Sequence, residues 1–150
     1  MKTKILLTIL VVTFIAACNK DNYTTKPQLV FKEVNTTLLR PNEILKFTLE
    51  VTDAEGDIQD SIWIERIDPK CATNNITLQY KMPDFTATKN LKGDLEICYG
   101  YNTTSLGCPV LLGPGCLGRN DTATFKFWIR DKANNTSDTL TAPQPIVIAQ

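Results

Sequence analysis

The sequence predicts an all-β protein, an antiparallel β-sandwich of about seven short strands. Three observations carry this. Residues 43–52 and 122–130 alternate apolar and polar side chains with period two, the pattern of a strand with one buried and one wet face. Clusters of Asp, Asn, Gly and Pro recur between the apolar runs, where turns are needed. No segment carries a helical periodicity of useful length.

A leader precedes the first strand. Lys2 and Lys4 form a short basic start, and Ile5 to Ala16 is an apolar run broken only by Thr8 and Thr13. A spanning helix needs ~20 apolar residues, so this run is too short to cross a bilayer and reads as the core of a secretory signal. Ile15-Ala16-Ala17-Cys18 then resembles the bacterial lipobox, a branched apolar residue and two small ones before a cysteine. The resemblance implies that residues 1–17 are removed and that Cys18 becomes an acylated N-terminus. Acyl chains hold a protein on a membrane at ~0.8 kcal/mol per buried methylene, without a transmembrane helix. Lys20-Asp21 partly matches the tag that sends some Bacteroidota lipoproteins outward. The expected location is the outer membrane, with the cell surface slightly favoured over the periplasmic face. Residues 18–27 are polar, end in Pro27 and read as a lipidated tether.

Residues 28–150 are long enough for one domain with its own core. The leader holds two of the 16 basic residues and none of the 16 acidic ones, so the remainder carries a net charge of −2. It has no basic patch with interleaved aromatics, and nucleic acid is not an expected partner. The chain has no histidine. That removes the usual general base, the commonest metal ligand and every histidine-dependent triad. Cys71, Cys98, Cys108 and Cys116 follow Cys18, and in an oxidising compartment an even count means two disulfides. Three pairings are open. The short Gly/Pro-rich loop between Cys108 and Cys116 favours that bond, leaving Cys71–Cys98. The spacings are not C-x-x-C, which argues against zinc.

In chain order, Gln28 to Val34 is a first strand with Leu29 and Phe31 inward, and Arg40-Pro41-Asn42 is a turn. Glu43 to Thr52 buries Leu45, Phe47, Leu49 and Val51. Ser61 to Asp68 has apolar residues on both faces, as a central strand does. Ile76, Leu78, Tyr80 and Met82 alternate next, and Asp94 to Tyr101 follows after a polar connection. Residues 103–118 fit no regular element and read as a disulfide-pinned loop. Thr122 to Arg130 turns Ala123, Phe125, Phe127 and Ile129 inward. Pro143 and Pro145 interrupt the last strand, 139–148, and place it at an edge or across sheets.

Two stretches resemble immunoglobulin-like and cadherin-like bacterial domains: Phe47 to Asp57, a strand running into an Asp-rich turn, and Phe127 to Asp138, a late strand running into an Asp-x-Ala-Gly-Asn-like turn with Asn134 in place of Gly. The resemblance implies a core tryptophan at Trp63. The antibody-type disulfide is excluded, because neither partner strand contains cysteine. It also implies that the loop after the second strand and the loop after the sixth lie at one end. Asp53, Glu55 and Asp57 would then meet Asp131, with Asp60, Asn134 and Asp138 nearby. Such oxygens are candidate Ca²⁺ ligands, since Ca²⁺ takes six to eight oxygens in flexible geometry. The alternative is a solvated acidic turn.

Trp128 points outward with Lys126 and Arg130, a candidate binding face for a protein or sugar ring. Asp60-Ser61-Ile62, Asp121-Thr122-Ala123 and Asp138-Thr139-Leu140 resemble the O-glycosylation acceptor of Bacteroidota, with Ser61, Thr122 and Thr139 as acceptors. The leading expectation is a non-enzymatic cell-envelope lipoprotein that binds an envelope protein or a glycan. The alternatives are an accessory subunit of an outer-membrane complex and, less favoured, a carbohydrate-active enzyme with paired carboxylates.

Overall fold

The two alternating stretches become the strands on which two sheets are built. The structure is a computed structural model and describes residues 23–103, 107–111, 113–114, 116 and 118–150. The leader, Cys18 and the start of the tether lie outside the described residues. The described strands are, in chain order, β1 (Gln28–Val34), β2 (Leu38–Leu39), β3 (Ile44–Asp53), β4 (Ser61–Ile67), β5 (Ile76–Lys81), β6 (Leu91–Tyr101), β7 (Val110–Leu111), β8 (Asp121–Arg130), β9 (Leu140–Thr141) and β10 (Ile146–Ile148). One sheet has the order β1-β3-β6-β7; the other has β2-β10-β8-β4-β5, with β9 also beside β8. Pairing is antiparallel except for β2 with β10 and β6 with β7. The chain crosses between the sheets after β1, β2, β3, β5 and β7, and this strand order makes it an immunoglobulin-like sandwich.

Side-chain parity fixes the core. Leu45, Phe47 and Leu49 on β3 and Phe125, Phe127 and Ile129 on β8 are all 1 % exposed or less. The Phe47 ring lies 5.0 Å from Phe125 and 5.1 Å from Phe127, tilted and edge-on. These are the two strands that a disulfide joins in antibody domains; here an aromatic cluster joins them.

Four details differ from the sequence reading. Trp63 is not in the core. Only one parity of β4 can face inward, and it is Ile62, Ile64 and Arg66; Trp63 stands half-buried on the outer face. Arg66 is tolerated inside because it meets the fully buried Asp121 at 2.9 Å. Residues 103–118 contain a short strand, β7, and β6 begins at Leu91, three residues early. The prolines split the last strand into β9 and β10, both on β8, with β2 as the edge beyond.

The fourth difference is the disulfide pairing. The bonds are Cys71–Cys116 and Cys98–Cys108, not Cys108–Cys116 and Cys71–Cys98. The reason lies in register. β7 runs parallel to β6 with Val110 opposite Gly100, so Cys108, two residues earlier, falls beside Cys98. Cys71 follows β4 in a turn where the Asp68 carboxylate accepts the backbone N–H groups of Lys70 and Cys71. It is buried next to the segment that enters β8, where Cys116 lies.

Loop-closure entropy ranks the two bonds. Their separations of 45 and 10 residues correspond to about 4 and about 3 kcal/mol. Peptide mapping of the non-reduced protein is expected to recover Cys71–Cys116 and Cys98–Cys108. Serine replacement of the first pair should lower the urea midpoint more than replacement of the second. Phe47→Ala should cost ~3–5 kcal/mol in the same measurement, because it empties the contact between the sheets.

Candidate functional site

The core stripes of β3 and β8 do not stop at apolar residues. Leu45, Phe47, Leu49 and Val51 are followed in the same parity by Asp53, which is 0 % exposed. Phe125, Phe127 and Ile129 are followed by Asp131, which is 1 % exposed. Both strands end at the same pole of the sandwich, so the topmost layer of the core is acidic. Asp57, from the loop after β3, completes the group: the nearest ligand oxygens of Asp53, Asp57 and Asp131 all lie within 4.8 Å of one another.

Local turns hold these carboxylates. Asp53 Oδ2 accepts the Gly56 N–H at 2.6 Å and the Asp57 N–H at 3.3 Å. Gly56 has φ +70°, and a Cβ there would lie 2.0 Å from the Thr88 carbonyl oxygen, so only glycine fits. Asp131 accepts the Asn135 backbone N–H at 2.7 Å and its side-chain amide at 2.8 Å. Asn134 stands at φ +69°, the left-handed position that asparagine fills when glycine is absent. The Lys132 N–H donates to the Asp57 carbonyl at 2.9 Å and ties the two loops together.

The charges in this layer are not balanced by their neighbours. Asp53 Oδ1 and Asp57 Oδ1 are buried and have no hydrogen-bond partner. Among the described residues no lysine or arginine pairs with Asp53, Asp57 or Asp131. Burial pushes the Asp53 carboxyl above its ordinary value, only partly offset by its two backbone donors. The opposite pole is built differently. There Asp121 and Asp68 are also 0 % exposed, but Arg66 lies among them and pairs with Asp121.

The other acidic residues of the loop go elsewhere. Glu55 is exposed and accepts the Thr25 hydroxyl at 3.3 Å. Asp60 pairs with Arg130 at 2.6 Å and Asp138 with Lys26 at 2.6 Å. Residues 24–27, which composition groups with the tether, lie against this pole, where the Ala54 N–H donates to the Thr24 carbonyl and Pro27 is buried.

The second candidate is the outer face of the β8–β4–β5 sheet. Trp63 and Trp128 oppose each other across β4 and β8, with ring centroids 6.2 Å apart and planes within 2°. The Arg130 guanidinium lies 5.1 Å over the Trp63 ring, and Lys126 pairs with Glu65 at 3.2 Å. Sequence alternation identified Trp128, Lys126 and Arg130; it missed Trp63. The outer face of the other sheet is a charge lattice: Lys32 meets Asp94 at 2.9 Å, Lys46 meets Glu96 at 3.3 Å and Lys92 meets Glu50 at 3.5 Å.

A third feature is an apolar hollow of about 240 Å³ between β5 and β6, lined by Tyr80, Met82, Leu95, Ile97 and Tyr99, with Glu96 at its rim. Paired-carboxylate hydrolysis needs two carboxyls ~5–10 Å apart across such a cleft, and this hollow does not supply the pair. Of the three O-glycosylation candidates, Thr139 is exposed, Thr122 is half-buried in β8, and Ser61 is buried where it accepts the Gln79 amide.

No family model and no curated protein matches the chain. Several solved structures are loosely similar, among them these two. One is the sporulation control protein Spo0M from Bacillus subtilis, at 9% identity and TM-score 0.39, covering 85% of this chain and 51% of that one. The chain thus spans about half of Spo0M's length. The other is a CARDB domain from Pyrococcus furiosus in complex with di-metal ions, at 10% identity and TM-score 0.32, covering 89% of this chain and 100% of that one. The fold assignment rests on the strand order itself.

In metal-free buffer, Asp53→Asn is expected to raise the melting temperature by a few degrees. The asparagine oxygen keeps the bond to the Gly56 N–H, and one of three clustered charges is gone. A melting temperature at or below wild type would show that the cluster carries no electrostatic strain.

Proposed function

We propose that this chain is a non-enzymatic lipoprotein of a bacterial cell envelope, which binds a partner protein through the Trp63–Trp128 face. The carrying observation is the contrast between its two outer faces. One is tiled with cross-strand ion pairs, which suits open water. The other sets two stacked tryptophans at its centre, rimmed by Glu65, Lys126 and Arg130. A central aromatic pair with a charged rim is the composition of a protein-binding hot spot.

Export and anchoring rest on the leader and on Cys18, and two disulfides fit an oxidising, extracytoplasmic compartment. Among the described residues no helix is long and apolar enough to cross a membrane; the proposed attachment is by acyl chains on Cys18. An accessory subunit of an outer-membrane complex is the same reading with the partner resident in that membrane.

The test is affinity capture from detergent-solubilised membranes, with wild type and Trp128→Thr compared at matched melting temperature. A stoichiometric protein that co-purifies with wild type and falls by roughly 30-fold or more with the variant supports the reading. Capture that is equal with both, or absent with wild type, counts against it.

A further inference from the structure

We propose that the acidic pole binds one hard divalent cation, Ca²⁺ by preference, between Asp53, Asp57 and Asp131. The donor set is all carboxylate oxygen, which selects hard cations over zinc or copper. The spacing suits a single ion. Two oxygens on opposite sides of Ca²⁺, each at ~2.4 Å, stand ~4.8 Å apart, and the three ligand oxygens here lie within 4.8 Å of one another.

A cluster of acids is common without an ion, but this one has a second property. Asp53 is 0 % exposed, and its Oδ1 has no hydrogen-bond partner; the buried Oδ1 of Asp57 has none either. A buried, uncompensated carboxylate oxygen is costly to keep. The opposite pole shows how this fold manages the same situation with protein atoms alone. There Arg66 reaches into the core and pairs with Asp121. At the acidic pole no basic side chain among the described residues plays that part. A divalent cation supplies the missing charge and gives both orphaned oxygens a partner.

Its remaining ligands are backbone carbonyls or water, as Ca²⁺ accepts. Mg²⁺ fits less well, because it demands near-ideal octahedral geometry and gives up water reluctantly. Asp53 ends β3 of one sheet, Asp57 lies in the loop after it and Asp131 follows β8 of the other sheet, so the bound ion cross-links the two sheets at this pole. The site is independent of any partner on the tryptophan face.

The test uses the full chain in detergent, stripped with EDTA, and follows melting with added calcium chloride. At a hundredfold excess of free Ca²⁺ over its dissociation constant, the melting temperature should rise by roughly 8 °C. Asp57→Asn and Asp131→Asn should each abolish that rise, whereas Glu55→Gln, outside the cluster, should keep it. Calorimetric titration should give one Ca²⁺ per chain for wild type and none for the two asparagine variants. Identical melts in Ca²⁺ and EDTA would overturn the proposal. So would a rise retained in both asparagine variants, or one matched by potassium chloride at equal ionic strength. An equal rise with magnesium chloride would overturn the preference for Ca²⁺.

Discussion

The contact of Phe47 with Phe125 and Phe127 is the constraint from which the rest of the molecule follows. It presses β3 against β8 and sets the parity of both strands. Once Phe47 faces in, so must Asp53, six residues on; once Phe127 faces in, so must Asp131, four residues on, while Trp128 must face out. The acidic layer and the tryptophan face are thus two readings of one alternation. Neither can be moved without turning the core strands inside out.

The core is closed by charge at both poles, and the two closures differ. At one pole Arg66 pairs with Asp121 inside the sandwich, held among side chains that include Asp68 and Asn74. Buried pairs of this kind contribute little net stability, but removing one member costs ~3–5 kcal/mol, because the other is left uncompensated. The other pole has the carboxylates without the cation. Asp53 and Asp131 are held by backbone and asparagine donors, which satisfy Oδ2 of Asp53 and both oxygens of Asp131 but leave Oδ1 of Asp53 bare. The proposed cation is what would complete this end of the core.

Much of this was legible in the sequence, and what was not has physical reasons. β3 and β8 were legible because each has one clean apolar parity. The meeting of Asp53, Asp57 and Asp131 was legible because a sandwich of this topology brings those two loops to one end. Trp63 was not, because β4 is apolar on both parities; Ile62 and Ile64 face inward rather than Trp63 and Ile67, with the Arg66–Asp121 pair in the same inward set, and that pair joins residues 55 positions apart. That the four cysteines form two disulfides was legible, but their pairing was not, because Cys98–Cys108 depends on a two-residue parallel strand whose register no local pattern encodes. Glu55 and Asp57 look alike in the sequence. They separate because the turn at Gly56 sends one to solvent and the other to the cluster.

The direction in which the chain enters the sandwich gives the two candidate sites different surroundings. Thr24 lies at the acidic pole, bonded to Ala54. It stands six positions after Cys18, a reach of at most ~20 Å. On the proposed lipid anchoring, the acidic pole is therefore the end of the sandwich tethered nearest the lipid, and the Cys71–Cys116 pole is the far end. Strands run from pole to pole, so the Trp63–Trp128 face lies on the flank of the sandwich between the two poles. A short tether makes that face most available to something held in the same membrane. If the proposed lipid anchoring holds, the proposed partner of the Trp63–Trp128 face is most simply a neighbour in the same membrane, because of the length of the tether rather than any property of the tryptophans.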